Sequence, residues 1–253
     1  MNTRAHAIAV ALGLAVLAAA APGVASAAPA PAGSCSLPTF GPGASYRPSI
    51  NPADFSATVD NPLFPLVVGR TLVYEGTKDG KKALDLFAAS ARTQVIDGVH
   101  TRVVEDRLYL DGVLEERTSD YYAQDRCGNV WYFGEDTATL DANGNVLSTS
   151  GSFHAGIDGA QPGVFMQAKP EVGRQFRQEW YAGQAEDAYQ AIDLSTPRTV
   201  PYGSFQNSLR TAERTALEPA VRDNKYFVRG IGEVEELAVR GPLEHLVLTE
   251  ILQ

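Results

Sequence analysis

The sequence predicts an all-β protein: an antiparallel up-and-down meander forming a closed or half-closed β-barrel, with a two-sheet β-sandwich as the alternative. Three observations carry this expectation. After residue 66 the chain breaks into short runs rich in β-branched and aromatic residues, many of them alternating at a period of two. Asp-Gly or Asn-Gly pairs stand between runs at 79–80, 97–98, 111–112 and 143–144, where two-residue hairpin loops need residues that tolerate positive φ. Beyond the first 27 residues no stretch shows the apolar repeat of a three-turn helix.

Residues 1–27 carry Arg4, an apolar run from 7 to 21, a Pro22-Gly23 break and the small-x-small triplet Ala25-Ser26-Ala27. This is the layout of a secretory signal peptide, and its apolar run is too short and alanine-rich for a membrane span; an uncleaved anchor is the competing reading. The chain is therefore expected to be exported, to the extracellular space or the periplasm and cell envelope, with no transmembrane segment in its mature part.

Residues 28–65 contain Gly41-Pro42-Gly43, Arg47-Pro48, Asn51-Pro52 and Asn61-Pro62. Each proline removes a backbone donor and fixes φ, so neither helix nor central strand passes through, and the segment reads as an extended arm. Its Leu37, Phe40, Phe55, Leu63 and Phe64, with Leu66 just beyond, imply that it lies across the domain.

Residues 66–253 make the barrel-like domain. Runs 71–75, 83–96, 99–110, 113–124 and 129–133 read as strands, the Asp-Gly pairs and a turn at 125–128 folding them into consecutive hairpins. Run 146–150 returns toward 152–154. The stretch 156–163, with three glycines and a proline, reads as a loop. Strands follow at 164–168, 174–180 and 188–194. Segment 205–216 is read as a strand and not a helix, because Leu209, Thr211 and Thr215 fit a period of two. Runs 226–228, 233–239 and 245–252 close the chain. A barrel of about eight to ten such strands encloses room for one small ligand.

The whole chain has 21 Lys and Arg against 30 Asp and Glu; removing Arg4 leaves 20 against 30, a formal charge of −10. An acidic surface without a basic cluster repels nucleic acid and anionic lipid, and neither is expected as a partner. The sequence leaves the oligomeric state open. Two cysteines, Cys35 and Cys127, remain in an exported chain, and the even count favours a disulfide between arm and hairpin turn over two free thiols.

No metal site and no cofactor are expected. His100, His154 and His245 are far apart in sequence, and the stretch from Asp141 to Asn145 has valine and serine where a calcium loop needs its glycine and its glutamate. There is no Gly-x-Ser-x-Gly elbow. Hydrolytic chemistry would fall to carboxylate pairs from different strands, and Asp120 with Glu135, or Glu179 with Glu186, are the candidates; solvated or Arg-paired carboxylates are the bland alternative. Binding is the more natural use of the aromatic residues. Tyr121, Tyr122, Trp131, His154, Asp158 and Trp180 are the candidate ligand contacts, although alternation commits at least half of the aromatics to the core.

Three stretches carry a family resemblance: Asp-Tyr-Tyr-Ala-Gln-Asp-Arg-Cys-Gly-Asn-Val-Trp-Tyr-Phe-Gly-Glu-Asp at 120–136, Gly-Ser-Phe-His-Ala-Gly-Ile-Asp-Gly-Ala-Gln-Pro-Gly at 151–163, and Arg-Gln-Glu-Trp-Tyr-Ala-Gly-Gln-Ala-Glu-Asp at 177–187. With Asn-Pro-Leu-Phe-Pro-Leu at 61–66, they resemble a set of exported bacterial proteins of unassigned activity. The resemblance implies export and no mechanism. At fold level alone the meander is similar to lipocalin-like and lipoprotein-carrier barrels. The function expected is binding of a small or lipid-like molecule; a secreted hydrolase using a carboxylate pair, or an envelope interaction module, are the alternatives. A carrier requires a mainly apolar cavity, an enzyme two converging carboxylates whose pKa values are driven apart.

Overall fold

The computed structural model describes residues 35–253. The signal-peptide reading and the start of the arm lie outside the described residues.

Sixteen strands form one antiparallel sheet: β1 (Phe55–Ser56), β2 (Thr71–Lys78), β3 (Lys81–Ile96), β4 (Val99–Leu110), β5 (Val113–Asp125), β6 (Val130–Leu140), β7 (Val146–Ser148), β8 (Phe153–His154), β9 (Gln161–Met166), β10 (Gln175–Arg177), β11 (Glu179–Trp180), β12 (Asp187–Val200), β13 (Gly203–Thr215), β14 (Arg222–Val228), β15 (Gly232–Arg240) and β16 (Glu244–Leu252). The hairpin signals do what their chemistry requires. At Asp79-Gly80, Asp97-Gly98 and Asp111-Gly112 both residues take positive φ, 52° and 78°, 49° and 76°, and 49° and 83°. Such turns match the twist of the strands they join.

Thirteen strands lie on one path, β10-β12-β13-β14-β15-β16-β2-β3-β4-β5-β6-β9-β11. Its two end strands are consecutive in sequence, separated by Gln178 alone. The chain itself thus nearly closes the barrel, pairing with β12 through 175–177 and with β9 through 179–180. At this seam Gly163 lies so close to the backbone of Arg177 and Gln178 that an added Cβ would sit 2.2 Å and 2.4 Å from their carbonyl oxygens.

Several boundaries differ from the sequence reading for physical reasons. The expected single strand 174–180 is two strands with different partners. Strand β9 begins inside the expected loop, at Gln161, because Gly163 supplies the close approach just described. Strand β12 runs through Pro197 to Val200; register shifts between Asp193, Thr196 and Arg198 leave Pro197 out of the ladder, where its missing N–H costs nothing. The thirteen strands of the path include each of the C-terminal runs that the sequence reads as strands.

The arm adds two short 3-10 turns, Gly43–Ser45 and Pro52–Asp54, and β1, which pairs with β5. It crosses the outer face of the sheet, where Leu37, Ile50 and Phe55 pack over Trp131, Phe133 and Tyr189. Phe55 meets Trp131 and Phe133 edge-on, with ring centroids 5.8 Å and 5.2 Å away. The disulfide joins Cys35 to Cys127 across 92 residues of sequence. Beside it the buried Asp125 accepts hydrogen bonds from Cys127 N, Asn129 N, Asn129 Nδ2 and Trp131 Nε1, at 2.9, 2.9, 2.8 and 3.1 Å. A buried carboxylate so fully satisfied holds a turn in one conformation.

Candidate functional site

The barrel interior holds a chamber of about 290 Å³ beside two buried apolar clusters, one around Phe64, Val104 and Tyr122 and one around Leu72, Tyr74 and Leu246. Alternation decides what faces it. In β3 the inward set includes Asp85 and Phe87, and in β5 it includes Asp120 and Tyr122. Two β-bulges extend this set. Between β5 and β6 the register moves from Tyr121 opposite Gly134 to Tyr122 opposite Tyr132, so Tyr132 and Glu135, three residues apart, both point inward. A second shift, between Tyr226 and Phe227, lets Glu233 and Glu236 of β15 do the same.

One wall is aromatic. Tyr122 and Tyr132 stack with centroids 4.8 Å apart and an interplanar angle of 21°. Phe64, brought in by the arm, packs 5.1 Å from Tyr122 and 4.5 Å from Phe165. The remaining lining is mainly acidic. Asp85, Asp106, Asp120 and Glu135 come from β3, β4, β5 and β6 in turn, Glu179, Asp187 and Glu213 from β11, β12 and β13, and Glu233 and Glu236 from β15. Among the described residues Lys225 is the one cation in this lining, its ammonium 3.6 Å from Glu213, 3.9 Å from Glu233 and 3.6 Å from Glu236. Gly151, Gln184 and Asp187 bring the chamber to the surface, the last two being exposed.

Burial sets the electrostatics. It raises the carboxyls of Asp85, Asp106, Asp120, Glu179, Glu213 and Glu233 above the ordinary range, and pushes Glu135 up to about 8 against the lowering effect of the Tyr132 hydrogen bond. Burial works against the Lys225 ammonium too, but Glu213, Glu233 and Glu236 outweigh it and keep the amine charged. Tyr132 Oη stands 2.5 Å from Asp120 Oδ1 and 3.0 Å from Glu135 Oε2. A phenol has one proton to donate, so both contacts are hydrogen bonds only when one carboxyl is itself protonated and donates back.

The candidates read from the sequence divide between the two faces of the wall. Asp120, Glu135 and Glu179 line the chamber, as does Tyr122. Glu186 does not join Glu179: its Oε1 accepts from Gly183 N at 2.8 Å, and it borders an outer groove beside Arg177 and Arg214. Tyr121 turns outward and donates to Asp136 Oδ2 at 2.5 Å, while His154 Nε2 lies 3.1 Å from Asp136 Oδ1. Trp131 belongs to the cluster under the arm. Trp180 is stacked on Arg177, whose guanidinium carbon is 4.6 Å from the ring and whose Nη2 donates to Gly41 O at 2.8 Å, and it covers Gly43 so closely that no side chain fits there. Asp158 is exposed in a turn with φ of 49°. Asp85, Asp106, Glu213, Lys225, Glu233 and Glu236 were not among the candidates. A signal for two of them existed: Ala83, Asp85, Phe87 and Val104, Asp106, Leu108 each place one acid in the apolar face of an alternating strand.

No protein-family model matches the chain, and no curated protein matches it. Two solved structures are similar to it at 11% identity. One is a candidate exported protein with YmcC-like fold from Bacteroides fragilis, with a TM-score of 0.44 over 76% of this chain and 99% of that one. The other is a candidate lipoprotein from Parabacteroides distasonis, with a TM-score of 0.42 over 75% of this chain and 98% of that one. Neither description carries an activity, as in the exported set that the motifs resemble. Among the described residues no helix is long and apolar enough to cross a membrane.

Proposed function

We propose that this exported barrel is a binding protein whose interior chamber takes up a small polar molecule. The observation that carries the reading is the chamber itself, a space of about 290 Å³ kept open inside a barrel and lined by an aromatic wall facing ionisable groups. A core without a ligand to hold would be packed to the density of an organic crystal, and would not spend so many buried carboxyls. The lining favours a polar ligand over a lipid-like one, because an acyl chain would leave those carboxyls without partners. The disulfide and the leader-like first 27 residues support an exported setting.

Native mass spectrometry of the protein purified from its own host tests this reading. A mass excess of one small molecule, lost on denaturation, is expected. Gln184→Trp, at the exposed mouth, should abolish the excess without unfolding the barrel. An excess that survives in that variant would place the ligand elsewhere.

A further inference from the structure

The binding reading leaves the class of ligand open, and two features of the wall narrow it. The first is a missing donor. Asp85 Oδ1 is buried and meets no N–H group and no hydroxyl. Its neighbour is another carboxyl, Asp106, which hydrogen-bonds to Asp85 and so requires a proton on one of the two. The other groups acting on this pair are Tyr74 from β2, Arg107 from β4, Glu116 and Asp120 from β5, Glu135 from β6, Lys225 from β14, and Glu233 and Glu236 from β15; the Arg107 guanidinium is spent on Glu105 and on the Asp106 and Thr118 carbonyls. The Tyr74 hydroxyl is spent on Glu233 O at 3.0 Å, and the Lys225 ammonium on the three glutamates around it. Apart from the proton shared with Asp106, no donor among the described residues is left for Asp85 Oδ1.

The second feature is the spread of the carboxyls. Nine carboxyls come from eight different strands, beside the stacked rings of Tyr122 and Tyr132. Among the described residues, the set of three His, Cys, Asp or Glu ligand atoms within 4.8 Å of one another is Cys35, Asp125 and Cys127, none of which lines this chamber, and it includes both disulfide cysteines. A metal ion needs oxygens that converge. Dispersed carboxyls beside stacked aromatic rings instead suit a multi-atom cation, whose N–H groups reach separate acids while its carbon skeleton lies on the rings.

We infer that the chamber takes a small organic cation, an amine or a guanidine, with one N–H donating to Asp85 Oδ1 and the skeleton against Tyr122, Tyr132 and Phe64. The inference rests on the chamber being a binding site. The exchange balances in charge: the cation enters, the O–H bond of the shared carboxyl proton breaks, and one proton leaves to solvent. Binding is therefore tighter at high pH and is accompanied by proton release.

Isothermal titration calorimetry on the mature chain tests this, with agmatine and spermidine as cationic probes and glucose, lauric acid and calcium chloride as alternatives. The cations are expected to bind, with heats that differ between phosphate and Tris buffers at pH 7.5 and an affinity at least about tenfold lower at pH 6 than at pH 8, a change that needs no variant. Asp85→Asn should weaken agmatine at least about tenfold. Binding of glucose, lauric acid or calcium alone would overturn the cation class and leave the chamber reading standing. Cation binding with equal heats in both buffers would overturn the proton exchange. No binding by any probe would overturn both readings.

Discussion

Asp120 of β5 and Glu135 of β6 are direct cross-strand partners, and their carboxyls meet at the single hydroxyl of Tyr132. The bulge at Phe133 makes this possible, since simple alternation from Tyr132 would have turned Glu135 outward. Three groups thus share too few protons for all to be ionised and all to be bonded. That shortage recurs at Asp85 and Asp106, and it governs how the fold responds to pH.

Stability should fall as pH rises from 5 to 8. Glu135 is raised from an ordinary 4.5 to about 8 in the folded chain, mainly by burial, so the folded state holds a proton that the unfolded state has released. The stabilisation is complete below the ordinary value and is lost as pH climbs through the folded one, at up to about 1.4 kcal/mol per pH unit for each such group. Asp85, Asp120 and Glu233 are shifted in the same direction and add to the slope. Calorimetric melting should give a Tm several degrees lower at pH 8 than at pH 5. Glu135→Gln should flatten the curve, and a Tm that rises with pH would contradict the buried-proton account.

Tyr132→Phe separates the pair from its common donor. The phenol stabilises the ionised forms of both Asp120 and Glu135, so its removal should raise the Glu135 midpoint above about 8. Loss of a buried hydrogen bond to a charged group costs roughly 1.5 to 3 kcal/mol, and that cost should be seen at pH 8 more than at pH 5, where protonated carboxyls need less help. Carbon-13 chemical shifts of the glutamate carboxyls, followed from pH 5 to 9, give the midpoint directly. An unchanged or lowered midpoint would mean that the phenol does not serve this pair.

The hairpins and the site were legible to different depths. Asp79-Gly80, Asp97-Gly98 and Asp111-Gly112 announce their turns locally, because positive φ at two successive residues is a property of those residues alone. The run 99–110 was bounded correctly for the same reason. The Cys35 to Cys127 link followed from there being one possible pair. The seam at Gln178 was hidden, since two strands of three and two residues acquire meaning only through their partners β12 and β9. The carboxylate set was hidden in part by the bulges: Glu135 was found through its hairpin partner, but Glu233 and Glu236 share a face only because β15 slips register. Tyr121 and Tyr122 could not be separated from adjacency alone, which says that they face opposite ways and not which of them faces in.

Gly163→Ala should open the seam. Its Cβ would stand 2.2 Å and 2.4 Å from two backbone oxygens, which cannot rotate away as a flexible side chain would. Relief requires β9 to move off the segment around Gln178, which joins the two end strands of the barrel path. A loss above about 3 kcal/mol is expected, in the range of severe overpacking. Gly41→Ala is the control: it has open space around its added methyl and should change stability by less than about 0.5 kcal/mol. Urea unfolding of the two variants checks both values, and equal midpoints would show that the barrel does not depend on this contact.

Reducing the disulfide should free the arm before it unfolds the barrel. A closed loop of 92 residues corresponds to about 4.7 kcal/mol in the chain-entropy account, a ceiling that any residual order in the reduced chain lowers. The contacts left to the start of the arm are few and local: Leu37 on the Trp131 cluster, Phe40 and Tyr46 beside Arg177, the Gly41 carbonyl on Arg177, and Gly43 under Trp180. Further along, β1 and Phe55 are held by β5 and the cluster around Trp131, and Phe64 is locked among chamber rings. Release should therefore stop near Ile50. In the Cys35→Ser, Cys127→Ser double variant, limited proteolysis should cut within residues 35–50 while the fragment beyond stays resistant, and the urea midpoint should fall by an amount equivalent to about 2 to 4 kcal/mol. Cleavage extending past Phe64 at the same rate would show that the arm and barrel unfold as one unit, and that the disulfide fastens the whole domain and not its first segment.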